Sequence, residues 1–537
     1  MTHSLSLPQG PVTLPVTLPV TLPLPPTTRP RQRTHAFTAT AAAVLATLVL
    51  AGCNTAPAQP DARIAVPEAY KEASALAAAQ AADLAQPAAD GSRWKPAEPS
   101  EAQARGAWWE TFGDPTLNQL EQQAEAANPG LAVAAARVKA ARALLSSSQA
   151  DRLPQLGVSA GVARQKPSAA EQGLSADQNI APSSLWRAGL SASYEVDLFQ
   201  RVANSVQAAE ADALASQANH RSVLLSLQAD VAQTYFQLRT LDAVVVLLTQ
   251  TASLREQSLQ LAQRRLAAGD VSELDVARAR TELATTQADL QAQRGERART
   301  EHALAVLLGQ PPAAFGLAAQ PLPADARVPM VPAGLPSALL ERRPDVAAAQ
   351  ARMMAATARV GQARSALFPA LRLTADGGFA SYELRDLFLW SARSWVANAV
   401  LSMPIFDGGR NRAGVNRAEA VLEESVADYR QTVLGAFGDV EDKLSGLGSV
   451  RAQTLSLSEA VVAARRSAEL ADKRYRAGED SYLTLLDTQR SLLAVERQAV
   501  QLRGAWATGT IGLIRSLGGG WAPTAPGQTA ATQPAKS

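Results

Sequence analysis

The stretch from Arg201 to Ala268 limits the fold more than any other feature of the chain. It contains neither proline nor glycine, and large apolar residues recur at Leu224, Leu227, Val231, Tyr235, Leu238, Leu241, Val245 and Leu248. Their mean spacing, about 3.4 residues, is close to the 3.5-residue period of a helical seam. At 1.5 Å per residue such a helix is a rod roughly 100 Å long. Most globular helices have three or four turns, so a compact domain has no use for one this long. Ala268-Gly269-Asp270 ends it, because glycine suits the left-handed position just past a helix C-terminus.

The same unit occurs twice. Tyr475-Arg476-Ala477-Gly478-Glu479-Asp480 echoes Leu266-Ala267-Ala268-Gly269-Asp270, and the two glycines lie 209 residues apart. Asp197-Leu198-Phe199-Gln200-Arg201 is echoed by Pro404-Ile405-Phe406-Asp407-Gly408-Gly409-Arg410. Pro129 and Pro154 are 25 residues apart, as are Pro344 and Pro369. The chain reads as two copies of a unit of about 210 residues, a long-period duplication that overrides a domain count based on length.

The first 26 residues are a low-complexity run that builds no core. Arg29, Arg31, Arg33 and His35 then precede an apolar run from Ala36 to Leu50, the pattern of a secretory leader. That run is too short to span a bilayer. It ends Leu50-Ala51-Gly52-Cys53, which resembles the lipobox of bacterial lipoproteins and implies cleavage before Cys53 and lipidation of that residue. The alternative is a plain leader with an incidental cysteine. The resemblance further implies outer-membrane sorting, because Asn54 and not Asp follows. Residues 1–52 are thus an extension and signal peptide, and 53–104, rich in alanine and proline, a lipid-anchored extended tether.

Asp114-Pro115 and Asn128-Pro129 each place a capping side chain before a proline at the first helical position. They predict a short helix to about Ala127 and another to about Leu153. Between Pro154 and Phe199 the period changes to two. Leu156, Val158, Ala160 and Val162, then Trp186, Ala188, Leu190, Ala192 and Tyr194, alternate with small or polar residues. Leu371, Leu373, Ala375, Gly377 and Phe379, then Trp395, Ala397, Ala399 and Leu401, repeat this in the second copy. Such alternation suits strands of a membrane barrel; a small soluble sheet is the alternative. Trp186, Phe379, Trp390 and Trp395 fall near the loop ends, where interfacial aromatics belong.

A further helix follows each glycine turn, over about Ser272–Leu308 and Ser481–Leu517. This helix and the Pro-to-Pro helix together nearly match the long one in length. Two shorter helices stacked end to end then lie beside one long helix, and each repeat is a helical hairpin ending in a β-hairpin. Gln310 to Pro336 is a proline-rich strap between repeats, Pro336 to Arg342 opens a short helix, and 522–537 is a disordered tail.

Trp108-Trp109, Phe112-Gly113-Asp114-Pro115, Arg342-Arg343-Pro344-Asp345-Val346, Tyr475-Arg476-Ala477-Gly478, Tyr482-Leu483-Thr484-Leu485-Leu486-Asp487 and Leu517-Gly518-Gly519-Gly520-Trp521 resemble the outer-membrane factor (TolC-like) family. Within it they look most like the NodT-type lipoproteins of RND efflux systems. The resemblance runs from about Cys53 to Trp521 and makes 105–320 and 321–521 its two repeats. It implies a mainly α fold with a membrane β-barrel, four strands per chain in a trimeric twelve-stranded barrel. It also implies a periplasmic α-barrel with a small equatorial domain. The partners it implies are a periplasmic adaptor, an inner-membrane RND pump and outer-membrane lipid. The function is then a passive efflux duct; a duct for type I protein secretion is the alternative. Independently, four strands cannot close a barrel and open edges are not tolerated in lipid, so a membrane sheet requires two copies or three.

In the family a closed iris at the turn ends is held by hydrogen bonds and charges between neighbouring helices. Asp275, Tyr475 and Asp487 match gate positions, with Arg476 and Arg278 as candidate cationic partners. Asp480 stands where a relative has Arg and Thr484 where it has Asp, so any lock is rewired. Gly269, Leu274, Gly478 and Leu483 are the candidates for adaptor docking. Nothing points to catalysis, a metal or a cofactor. The four histidines are scattered, the single cysteine forms no thiolate cluster, and Gly408 to Gly414 lacks the Gly-Lys-Ser/Thr ending of a phosphate loop. A net charge of +2 gives no reason for a nucleic-acid partner.

Overall fold

The structure, a computed structural model, describes residues 107–168, 180–323 and 342–519, most of 55–73, and isolated positions 173, 175 and 331. All belong to the compact unit that starts at Cys53. The leader, Cys53 itself, the helix expected from Pro336, and Gly520 onward lie outside the described residues.

After a short 3-10 turn, Trp108–Phe112, the elements are α1 (Pro115–Ala127), α2 (Pro129–Ala150), β1 (Gln155–Gln165), β2 (Ser183–Val196), α3 (Arg201–Ala267) and α4 (Glu273–Leu307). They continue with α5 (Pro344–Ser365), β3 (Ala370–Ser381), β4 (Arg393–Ser402), α6 (Arg410–Ala477) and α7 (Tyr482–Ser516). The halves match in length: α2 and α5 have 22 residues, α4 and α7 have 35, and α3 and α6 have 67 and 68.

The helix starts follow from their local chemistry. Asp114 Oδ1 accepts the N–H groups of Thr116 (2.9 Å) and Leu117 (3.2 Å), and Asn128 Oδ1 accepts that of Leu131 (3.0 Å). The two long helices start differently. The Asp197 carboxylate accepts the N–H groups of Val202 and Ala203 at 3.0 and 2.7 Å, beside a left-handed Gln200. In the second copy the left-handed position is Gly409, and the Asp407 carboxylate accepts the N–H groups of Gly409 and Asn411, both at 2.9 Å. Gly408 to Gly414 is thus a strand-to-helix bend.

Both α2 and α4 pack on α3, and they meet end to end. Asn128 Nδ2 donates to Leu307 O at 2.8 Å. Left-handed Gly309 passes so close to Ala127 that a Cβ there would lie 2.4 Å from its carbonyl oxygen. The second half repeats the joint: Arg343 Nη1 donates to Ser516 O at 3.3 Å, and a Cβ on Gly518 would meet Arg342 O at 2.8 Å.

The seam expected along α3 is buried at Leu227, Val231, Tyr235, Leu238 and Leu248. Above it, where α3 meets α5, the buried residues are small: Ala208, Ala211, Ala215 and Ala218 face a helix carrying Ala348, Ala351, Ala355 and Ala358. The largest core lies at mid-height. There Trp108, Trp109, Leu117 and Leu120 pack with Tyr235 and Leu238 of α3, Leu444 of α6 and Ile511 of α7. The strap is pinned alongside: Arg297 Nη2 donates to Leu317 O (2.6 Å), Arg239 Nη1 to Ala318 O (2.8 Å), and Asp242 Oδ2 accepts Gln320 N–H (2.9 Å).

The described part of the tether is extended and bound. The Thr55 hydroxyl lies 3.1 Å from Phe199 O and 3.0 Å from Gly361 O, and accepts Asn204 Nδ2 at 3.0 Å. Further on, Arg430 Nη2 donates to Asp61 O at 2.8 Å, and Glu441 accepts the N–H groups of Lys71 and Glu72. No helix among the described residues is long and apolar enough to cross a membrane.

The four strands form one antiparallel sheet in the order β1-β2-β3-β4, with β1 and β4 as open edges. The register aligns the two-residue periods. Val158 lies opposite Leu190, Leu190 opposite Gly377, and Gly377 opposite Trp395. One face is therefore apolar across all four strands, and the other carries Ser159, Gly189, Gly378 and Ser394. Every residue of β1 and β4 is exposed.

Candidate functional site at the helical turns

At the other end of the helices the two glycine turns lie side by side. Gly269 and Gly478 have φ of +82° and +81°. Asp270 N–H bonds Arg265 O and Glu479 N–H bonds Arg474 O, both at 2.9 Å, closing the last helical carbonyls. Ala262, Val276, Ala279, Ala471, Tyr475, Tyr482, Leu485 and Leu486 form one small core beneath the turns. Leu274 and Leu483 occupy equivalent positions, the second residues of α4 and α7, and are 57% and 44% exposed.

The gate candidates are each held within the chain. Asp275 accepts the Ser272 hydroxyl at 3.0 Å and lies 3.6 Å from Arg278. Asp487 is exposed, with Arg490 3.9 Å away. Arg476 pairs with Asp472 of its own helix at 2.8 Å. Tyr475 is only 2% exposed, its ring edge-on to Tyr482 at 5.7 Å and covered by the Arg265 guanidinium at 4.7 Å. Burial pushes its phenol up, and nearby Asp275 adds to that. The rewired pair is local as well: hydrogen bonds from Thr484 and from Ser481 N–H hold the Asp480 carboxyl below its usual range, with Arg474 at 3.7 Å.

Two ties between the hairpins were not visible in the sequence pattern. Arg265 Nη2 donates to Arg476 O at 2.9 Å, linking one turn directly to the other. About 14 Å up α4, the Glu282 carboxylate sits between two arginines, 2.9 Å from Arg255 Nη1 of α3 and 3.0 Å from Arg490 Nε of α7. Arg255 also donates to Glu282 O (3.0 Å) and to the Thr286 hydroxyl. Glu282 and Arg255 are buried, and burial lowers the pKa of the Arg255 guanidinium. A carboxylate between a buried guanidinium and a half-exposed one fixes the spacing of three helices, and Asp487 touches it through Arg490.

Long helices with a bonded turn at one end and an open sheet with an exposed apolar face at the other make a structural wall. The class this defines is a membrane channel subunit. The profile of the outer membrane efflux protein family matches residues 120–310 and 335–519, and the chain belongs to that family. It is similar to the pyoverdine export outer membrane protein OpmQ of Pseudomonas aeruginosa, 34% identical over 480 residues, covering 89% of this chain and 96% of the relative. The toluene efflux pump outer membrane protein TtgI of Pseudomonas putida is 36% identical over 413 residues, covering 77% and 87%. Among solved structures, the outer-membrane channel OprN superposes with a TM-score of 0.77 at 31% identity, over 88% of this chain and all of that one. The open-state MtrE channel of Neisseria gonorrhoeae gives 0.73 at 28% identity, over 87% and 98%. The protein is an outer-membrane channel component of efflux machinery.

Proposed function

We propose that three copies close into a twelve-stranded barrel in the outer membrane, continued by a periplasmic tunnel of helices. The duct takes small molecules from an RND-type pump through a periplasmic adaptor. The observation that carries this reading is the sheet: four strands, two open edges and an uncovered apolar face. Open edges do not persist in lipid, so copies must join edge to edge. The choice of three rests on the family. Support also comes from the helices, since α2 buries a single residue of its 22 and α6 only nine of 68 within one chain, leaving both for neighbours. Electron microscopy of detergent-purified protein should show a threefold rod well over 100 Å long. A compact or monomeric particle would overturn the assembly.

The turn end is the gate in this reading. Asp275, Tyr475, Asp487 and Arg476 surround the mouth, and the Arg255–Glu282–Arg490 tie keeps the hairpins of each copy closed. Gly269, Leu274, Gly478 and Leu483 form the adaptor contact, supported by the two exposed leucines at matched positions.

Cys53 carries the lipid anchor. Thr55, two residues on, is bonded where β2 hands over to α3. Two extended residues span at most about 7 Å, so an anchor two residues before Thr55 is within reach of that end of the sheet.

A further inference from the structure

The loop between β3 and β4 lies at the end of the sheet away from the helices. It exposes Phe388 (70%), Leu389 and Trp390 (77%), which continue into Trp395 (83%). Phe388 folds back onto Phe379, edge-on at 5.5 Å. Phe379 is directly opposite Arg393 in the register, so both stand on the apolar face together with Trp395. Arg393 is therefore a cation on the outermost rung of the apolar face. Its guanidinium covers the Trp390 ring, and its Nε donates to Trp390 O at 3.2 Å. Among the described residues it has no carboxylate within ion-pair distance. Arg385 in the same loop differs, being paired with Glu383 at 2.6 Å. The other edge strand repeats the pattern: Arg164 lies opposite Ser184, two residues beyond the Val162–Trp186 pair, and so is on the apolar face, exposed and, among the described residues, without a carboxylate partner.

We propose that Arg393 and Arg164 bind the phosphate groups of a phosphorylated glycolipid of the outer leaflet, with Phe388, Leu389 and Trp390 seated among its acyl chains. This rests on the barrel reading above, which puts the loop ends at the outer surface. A guanidinium at the edge of an apolar band is desolvated on one side and has a planar fork of donors to satisfy, which phosphate matches. Interfacial cations are drawn to anionic head groups, and the flanking aromatic rings prefer the same depth.

The test uses the purified full-length assembly in neutral detergent, with bisphosphorylated and dephosphorylated lipid A as probes and native mass spectrometry as readout. Wild type should retain the bisphosphorylated form at least tenfold better than the dephosphorylated one. The Arg164→Gln/Arg393→Gln variant should lose that difference, and Arg164→Lys/Arg393→Lys should recover part of it. Equal retention by wild type and the Gln variant, or no preference for phosphate, would overturn the proposal. Flotation with phosphatidylcholine vesicles separates the two readings. If both proteins float, a failed lipid A result condemns only this inference; if wild type does not float, the barrel fails and this inference with it.

Discussion

Glu121 on α1 is wholly buried, and neither carboxyl oxygen has a partner among the described residues. Burial, aided by nearby Glu125, pushes its pKa up to about 9 from an ordinary 4.5. Between those values the folded protein holds a proton that the unfolded chain has lost. Stability therefore falls as pH rises through this window, by up to about 1.4 kcal/mol per pH unit. Glu121→Gln should flatten the pH dependence of the melting temperature between about pH 5 and 9; an unchanged slope would assign the dependence to other groups. Glu282 and Asp487 make a second contrast. Glu282→Gln leaves buried Arg255 without its countercharge, a loss of about 3–5 kcal/mol in comparable buried pairs, while half-exposed Arg490 keeps only its long contact with Asp487. Asp487→Ala removes only an exposed contact, of about 0–1 kcal/mol. In planar bilayers Glu282→Gln should raise resting conductance, and in cells raise sensitivity to large antibiotics, well beyond Asp487→Ala. The reverse order would put the closing energy at the mouth itself.

At the level of elements, the joints are more exacting than the turns. Gly269 and Gly309 are both left-handed, at φ +82° and +69°, but a Cβ on Gly269 meets nothing within 4 Å, whereas one on Gly309 collides with Ala127. Gly269→Ala should cost roughly 1–2 kcal/mol for the backbone conformation alone. Gly309→Ala should cost clearly more and separate α2 from α4, as urea denaturation of the two variants would compare. What the sequence revealed follows the same division between local and distant causes. Asp114, Asn128, the prolines after them and the turn glycines act on neighbours within a few residues, so helix starts, ends and matched lengths could be read directly. The α3–α5 contact could not, because alanine favours helix at every position and leaves no periodic contrast. Arg490 and Glu282 are 208 residues apart, and only the packing of α7 on α3 brings them together. Likewise the tether could be read as extended but not placed, because its bonds run from backbone to residues such as Glu441, about 370 positions away.

For the whole molecule, two attachments to the membrane are expected, the acylated Cys53 and the closed barrel, and they are redundant. Cys53→Ser behind an ordinary leader should leave the assembly in the outer-membrane fraction, lighter only by its acyl groups; release into the soluble fraction would refute the barrel. The paired joints at Asn128–Leu307 and Arg343–Ser516 have a mechanical consequence. Each hairpin is a spliced beam, with one continuous member and one cut at mid-height. A butt joint carries compression but little tension, so bending at that level is resisted chiefly by α3 or α6. In the proposed trimer, the walls below the splice would flex as leaf springs clamped at mid-height, and the force needed to spread their tips would fall with the cube of the free length.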